Sequence, residues 1–327
     1  MDSAREPVLE VRNLRTEFAT SAGVVKAVDD VSFSVARGQI MGLVGESGSG
    51  KSMTGYSIMG LIDPPGRVAG GSIRLNGREL VGLAPEAMRQ LRGERIAMIF
   101  QDPMMTLNPV LRIDTQMMEA VLAHHAVGRR RAREMARDAL ARVGIPAPEE
   151  RLSAYPHQFS GGMRQRVAIA IALLNKPDLI ICDEPTTALD VTTQNQILYE
   201  MQTLCRESGS ALVWITHDLA VVAGLADTVA VMYAGQLVEQ GSVRQVLEQP
   251  RHPYTRALIA SVPSRNPRGR PLAQITGMAP SALTAPSGCR FRDRCPRATN
   301  ICATSPPVDA EDGHDWRCFH PVFEEDR

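Results

Sequence analysis

The chain has 327 residues, 36 Lys and Arg against 36 Asp and Glu, and a composition that is 22% charged and only 4% aromatic. A net charge of zero leaves no electrostatic footprint for nucleic acid, and no apolar run approaches the roughly 20 residues that a membrane-spanning helix needs. Met1 to Glu10 has neither the basic nor the apolar stretch of a secretory leader, so a cytoplasmic chain, free to dock on a membrane protein, is expected. The length suits one large core and a smaller second unit.

In chain order, Val8 to Phe18 and Val24 to Val35 alternate apolar and polar residues, with turns at Gly23 and Arg37-Gly38. They read as antiparallel strands with one wet face. Phe18 stands where a ring could stack on a nucleotide base, although a half-buried strand position is the simpler account of it before the fold is known. The apolar run Gln39 to Val44 then leads into Gly45-Glu46-Ser47-Gly48-Ser49-Gly50-Lys51-Ser52, which fits G-x-x-x-x-G-K-[ST]. Such a loop turns its backbone N-H groups onto a phosphate chain, which requires free φ at Gly48 and Gly50. Lys51 would reach the β- and γ-phosphates. Ser52 would offer a hydroxyl to Mg²⁺ and open a helix from Met53 to Ile62 whose N-terminal dipole also favours an anion.

Gly70 to Arg78 reads as a hairpin turning at Asn76-Gly77, and Arg95 to Phe100 as an inner strand that delivers Gln101, ahead of Asp102-Pro103, to a ligand-facing edge. From Ile113 to Gly144 the period becomes helical, with Met117, Met118, Val121 and Leu122 on one stripe and Met135, Ala139, Leu140 and Val143 on another. This is an inserted helical subdomain. Its basic run, Arg129 to Arg133, reads first as a solvated helix face and second as a contact for membrane headgroups.

Ser160 is placed to cap a helix that begins with Gly161-Gly162. Two glycines in a first turn cost stability, so a close approach to that backbone is expected. Asp178 to Cys182 is an apolar strand of the kind found inside a parallel sheet, with Cys182 a small buried hydrophobe, and it delivers Asp183-Glu184 to the sheet edge. Adjacent carboxylates repel, so a nearby cation is expected; Asp183 suits Mg²⁺, and Glu184 suits polarising an attacking water. Thr187 to Asp190 turns into a helix from Gln194 to Glu207. Ala211 to Thr216 is another inner strand and ends at His217, which can hydrogen-bond a phosphate or an aligned water. Thr228 to Tyr233 and Gln236 to Glu239 close the body as a hairpin.

From Gln249 the chain is marked by Pro250, Pro253, Pro263, Pro267, Pro271, Pro280 and Pro286 and reads as a linker with little regular structure. Cys289, Cys295, Cys302 and Cys318 follow. In a reducing compartment four clustered thiols read as metal ligands rather than disulfides. Their gaps exceed the two to four residues usual in small zinc modules, and four thiolates equally suit an iron-sulfur cluster. A metal would be the main source of order in so Pro-rich a tail.

Together these motifs resemble the ATP-binding subunit of an ABC transporter. The match covers the family's Walker A (Gly45 to Ser52), Q-loop (Gln101), signature (Ser160 to Arg164), Walker B (Leu179 to Asp183) with catalytic Glu184, D-loop (Ala188-Leu189-Asp190) and switch histidine (His217). Phe159 and Met163 depart from the usual Leu-Ser-Gly-Gly-Gln. With Phe100 to Pro109 and His252 to Leu258, that variant is similar to the oligopeptide, dipeptide and nickel importer branch.

The resemblance implies an α/β, RecA-like P-loop domain over residues 1–250, with an antiparallel β subdomain and a helical subdomain at about 103–165. A Cys-rich extension over 251–327 would follow. It implies ATP contacts at Phe18, Gly45, Ser47, Gly48, Ser49, Gly50, Lys51, Ser52, Met53, Gln101 and Asp183, and at Ser160, Gly161 and Gly162 across a two-ATPase sandwich. Catalysis falls to Glu184 and His217, Mg²⁺ to Ser52, Gln101 and Asp183, and a [4Fe-4S] cluster, with zinc as the alternative, to Cys289, Cys295, Cys302 and Cys318. Implied partners are a homologous second ATPase, two membrane permeases and, indirectly, an extracytoplasmic solute-binding protein. The place implied is the cytoplasmic face of the inner membrane, held peripherally; no nucleic-acid partner is expected. One competing reading is a soluble ABC-type ATPase that acts on nucleic acid or ribosomes; a second is a binding module whose tail is a metal-dependent nucleic-acid reader, with Arg290, Arg292, Arg294 and Arg297 interleaved with Phe291 and diluted by nearby acids.

Overall fold

The computed structural model describes residues 6–102, 104, 106–186, 190–262, 266, 273–281 and 283–323. Pro103, Thr187, Ala188, Leu189, Pro263, Pro267 and Pro271 therefore lie outside the described residues. Contacts divide the chain into two units, one built from residues 1–8, 36–39 and 82–213 and the other from 9–35, 40–81 and 214–327.

The second of these begins with the expected antiparallel strands. β1 (Pro7–Thr20) buries Leu9, Val11, Leu14 and Thr16 on one face, and β2 (Gly23–Ala36) buries Val31, Phe33 and Val35. β3 (Ile40–Val44) is buried throughout, and six residues separate its end from α1 (Lys51–Met59). β4 (Gly66–Leu75) pairs antiparallel with β1, Leu9 facing Leu75 and Phe18 facing Gly66, and turns at Asn76-Gly77 into β5 (Arg78–Glu79). The resulting sheet has the order β2-β1-β4-β5.

The other unit takes the chain next. After α2 (Pro85–Leu91) comes β6 (Ile96–Ile99), then the helices α3 (Ile113–Leu122), α4 (Arg129–Arg142) and α5 (Pro148–Leu152). Ile113, Met117 and Val121 of α3 are buried, as are Ala132, Ala136 and Leu140 of α4, so alanines carry the inner stripe where Met135 was expected, and Leu122 is exposed. Small residues at that stripe let two helices approach closely. Arg129 to Arg131 are solvated, and Arg130 and Arg131 pair with Glu134 on their own helix.

α6 (Gly161–Leu173) is capped by Ser160, whose Oγ accepts the Met163 N-H at 3.3 Å. β7 (Leu179–Asp183) is buried along its length and parallel to β6, with Ile96 beside Leu179 and Ile99 beside Cys182. α7 (Val191–Ser208) packs on α6 through Arg166, which reaches the Glu200 carboxylate and the Val143 carbonyl at 2.6 Å each. β8 (Ala211–Thr216) is divided, its first three residues counted with this unit and the rest with the other.

α8 (Leu219–Leu225), β9 (Thr228–Tyr233), β10 (Gln236–Ser242), α9 (Val243–Glu248) and α10 (Pro253–Ala260) continue the second unit. β9 runs parallel to β3 and antiparallel to β10. Within the stretch expected to be an irregular linker, α10 is regular. Beyond it, β11 (Asp309–Glu311) and β12 (His314–Trp316) form a hairpin that adds to β10, Trp316 facing Glu239. Phe291, 2% exposed, packs against Tyr233 and Tyr254 with ring centroids 5.3 and 5.4 Å apart. The tail thus has apolar anchors and an open sheet edge to pair with, which composition did not reveal. Among the described residues no helix is long and apolar enough to cross a membrane.

Candidate functional site

The sequence motifs divide between the two units. In the one holding β3, that strand ends at Val44 and the chain turns through Gly45 (φ 155°), Gly48 (φ 77°) and Gly50 (φ 103°) into α1. A Cβ at Gly45 would run into the Met232 carbonyl and stand 2.9 Å from Ser49 Oγ, and one at Gly50 would run into the Ala27 carbonyl. Only glycine combines those φ values with that clearance. Ser47 and Gly48 are exposed, while Ser52 and Met53 sit half-buried in the first turn of α1, which carries no acid.

Lys51, 5% exposed, donates from Nζ to the Gly45 and Glu46 carbonyls at 2.9 Å each. Ser49 Oγ is buried without a hydrogen-bond partner. A helix N-terminus, a lysine folded on the loop and an orphaned hydroxyl together fit a polyanion. In the same unit Phe18 is half-buried with its ring against Gly66. His217 is exposed just after β8, and Asp218 caps α8 by accepting the Ala220 N-H at 2.8 Å.

In the unit holding β7, Asp183 is 2% exposed at the strand's last position, and Glu184 follows with φ 46°. A non-glycine residue in the left-handed region costs on the order of 1 kcal/mol or more, and such strain gathers at functional sites. Gln101 is exposed and donates from Nε2 to the Glu184 carboxylate at 3.4 Å, so the ends of β6 and β7 bring these two side chains together. Ser160 and Gly161 are exposed. The close approach expected at the two glycines has an internal source at one of them. A Cβ on Gly162 would stand 2.9 Å from Thr193 Cγ2, whereas Gly161 has nothing within 4 Å. Thr193 is tied to Asp190, its N-H and Oγ1 donating at 3.0 and 2.7 Å.

The four tail cysteines are free thiols and line one pocket with His252, Phe291 and His320. Burial pushes the Cys289 and Cys295 thiols up and the Cys318 thiol up to about 12, against backbone N-H groups of Phe291, Arg297 and His320 that favour the thiolates. The His320 N-H lies 3.3 Å from Cys318 Sγ. Amide donors two residues beyond a cysteine support thiolate ligation. As the side chains stand, no group of three or more His, Cys, Asp or Glu among the described residues is arranged to hold a metal ion.

Sequence reasoning missed how the tail arginines are used. Arg290 pairs with Asp29 and the Ala234 carbonyl, and Arg294 forks onto Glu46 at 2.8 and 3.1 Å. Glu239, wholly buried, accepts the N-H groups of Arg251 and His252 and faces His314 Nε2 at 2.8 Å. The sequence signal was the density of arginines, which was read as a diluted nucleic-acid reader.

Residues 28–187 match the family model described as ABC transporter, and residues 238–302 match one described as oligopeptide/dipeptide transporter, C-terminal region. The chain is 48% identical to the oligopeptide transport ATP-binding protein OppD of Salmonella typhimurium over 97% of this chain and 95% of that one. It is 47% identical to the dipeptide transport ATP-binding protein DppD of Bacillus subtilis over 96% and 95%. Among solved structures, the dimeric post-hydrolysis ATP-binding cassette MJ0796 bound to ADP and Pi aligns with a TM-score of 0.65 and 26% identity, over 72% of this chain and 99% of that one. The protein cbiO1 of Clostridium perfringens aligns with a TM-score of 0.63 and 26% identity, over 74% and 91%.

Proposed function

The chain belongs to the ABC transporter family, as an ATP-hydrolysing subunit of its oligopeptide and dipeptide branch, and from that premise we propose how its residues drive solute import. The observation that carries the reading is the loop Gly45 to Ser52, with its left-handed glycines, its buried orphan Ser49 Oγ and Lys51 folded over it. Gly45, Ser47, Gly48, Ser49, Gly50, Lys51, Ser52 and Met53 cradle the phosphates of ATP, and Phe18 stacks on its base. Glu184 orients the attacking water, with Gln101 already hydrogen-bonded to it, and His217 holds the γ-phosphate geometry.

Ser52, Gln101 and Asp183 offer hydroxyl, amide and carboxylate oxygens, hard donors that suit Mg²⁺, which when bound neutralises charge on the phosphate oxygens. Ser160, Gly161 and Gly162 serve the nucleotide of a second, homologous ATPase. The exposure of Ser160 and Gly161 in the single chain supports that assignment. Residues 1–250 form the ATPase domain, with the helical subdomain at about 103–165, and 251–327 the extension. The solute is an oligopeptide or dipeptide passed by two permeases, with an extracytoplasmic binding protein upstream, and the chain sits peripherally on the cytoplasmic face of the inner membrane. Cys289, Cys295, Cys302 and Cys318 hold a [4Fe-4S] cluster in preference to zinc, supported by their shared pocket and amide donors. When bound, it cross-links the tail.

The test traps tagged Glu184→Gln protein with ATP and Mg²⁺, recovers it from solubilised native membranes and identifies companion chains by mass spectrometry. Hydrolysis should fall by at least about a hundredfold while ATP stays bound, and two polytopic permeases with a second ATPase should be recovered. Ribosomal or DNA-bound companions without a permease would overturn the reading in favour of a soluble ATPase.

A further inference from the structure

Glu46, the second residue of the phosphate loop, is fastened from outside the loop at both backbone and side chain. Its N-H donates to Tyr254 Oη at 3.0 Å, and its carboxylate receives both terminal nitrogens of Arg294, 248 residues away, at 2.8 and 3.1 Å. The Arg294 side chain is only 7% exposed and that of Glu46 27%. Arg294 is itself held in place. Its Nε donates to the Thr276 carbonyl at 2.9 Å, its Nη1 also reaches Tyr233 Oη at 3.2 Å, and its guanidinium lies 5.8 and 6.0 Å from the Tyr233 and Phe291 rings. A bidentate pair so constrained is a fixed clamp rather than a surface ion pair.

Lys51 Nζ lies 2.9 Å from the Glu46 carbonyl, so Glu46 stands beside the cation that the loop offers to phosphate. Released from Arg294, the Glu46 carboxylate would be an anion tethered next to a polyphosphate site, repelling the nucleotide and competing for Lys51. We infer that Arg294 is a positioning residue for ATP binding: from the Cys-rich tail it engages the Glu46 carboxylate and keeps Lys51 and the loop amides available to the nucleotide. This rests on the reading of Gly45 to Ser52 as the ATP site. The tail is then part of the nucleotide site's electrostatics as well as an appendage of the fold.

The test measures ATP affinity by displacement of trinitrophenyl-ATP from the full-length chain, with a thermal melt of each variant without nucleotide. Arg294→Ala should bind ATP about tenfold more weakly, the effect of losing one charge-assisted contact. Adding Glu46→Gln to that variant should restore affinity to within about threefold, because the stray charge is gone. Arg294→Lys, which keeps the charge and loses the fork, should fall between, and it decides the matter if Arg294→Ala does not fold. Unchanged affinity in Arg294→Ala and Arg294→Lys overturns the inference. So does a double variant no better than the single one, since Arg294 would then act through packing alone. Lys51→Ala checks the premise separately: if it binds ATP like the wild type, the assignment of the loop fails instead.

Discussion

His252 illustrates how a single buried side chain couples stability to pH. It is 1% exposed, and its Nδ1 accepts the Tyr254 N-H at 3.0 Å to cap α10. Burial pulls its pKa from 6.5 down to about 3. Below about pH 6.5 the unfolded chain takes up a proton that the native chain refuses, so stability is full above that pH and is lost as pH falls toward 3, by at most about 1.4 kcal/mol per unit. Urea titrations at pH 7, 6 and 5 should show this loss. His252→Asn keeps an acceptor for the cap without the titration and should give a flatter curve; equal slopes would mean that other groups set the pH dependence. At this scale much was legible. Ser160 as a cap and Lys51 in its loop follow from local spacing, since each needs only neighbours within a turn. The Arg294–Glu46 clamp was not, because nothing local joins residues 248 apart.

Among the elements, β3 and α8 meet with no room to spare. A Cβ on Gly42 would stand 2.5 Å from Val222 Cγ1, and Val222 is fully buried. Gly42→Ala should therefore destabilise the chain by about 1 to 3 kcal/mol through overpacking. Val222→Ala in the same chain should recover part of that, as a double-mutant cycle in urea would reveal; strict additivity would mean that the two residues do not share the space. Strands and helices long enough to display a period of two or of 3.6 were readable, as with β1, α3 and α4. The three-residue strands β11 and β12 were not, because they are shorter than any period and depend on the edge that β10 offers.

For the molecule as a whole, the sequence motifs are shared between the two units of one chain, and the proposed two-ATPase sandwich would draw its second set from a homologous partner. The tail adds a separate expectation. An anaerobic preparation should contain iron and absorb broadly near about 400 nm, and chelation of that iron should lower the melting temperature, because metal binding to a loop-rich segment is also folding energy. Stoichiometric zinc without iron would replace the cluster by zinc, and a preparation with neither metal would leave four free thiols.

By itself the sequence determined the family of the cassette, because the motifs at Gly45 to Ser52, Gln101, Ser160 to Gly162, Asp183-Glu184 and His217 each combine a local backbone need with a chemical group at fixed spacing. Tertiary structure decided what reaches those groups from afar. Thr193 fills the space against Gly162, Arg294 engages Glu46, and β12 completes the edge of β10. The reason is physical: loop geometry and helix caps are short-range, whereas ion pairs, close packing and sheet edges depend on which distant segments the buried apolar surface draws together.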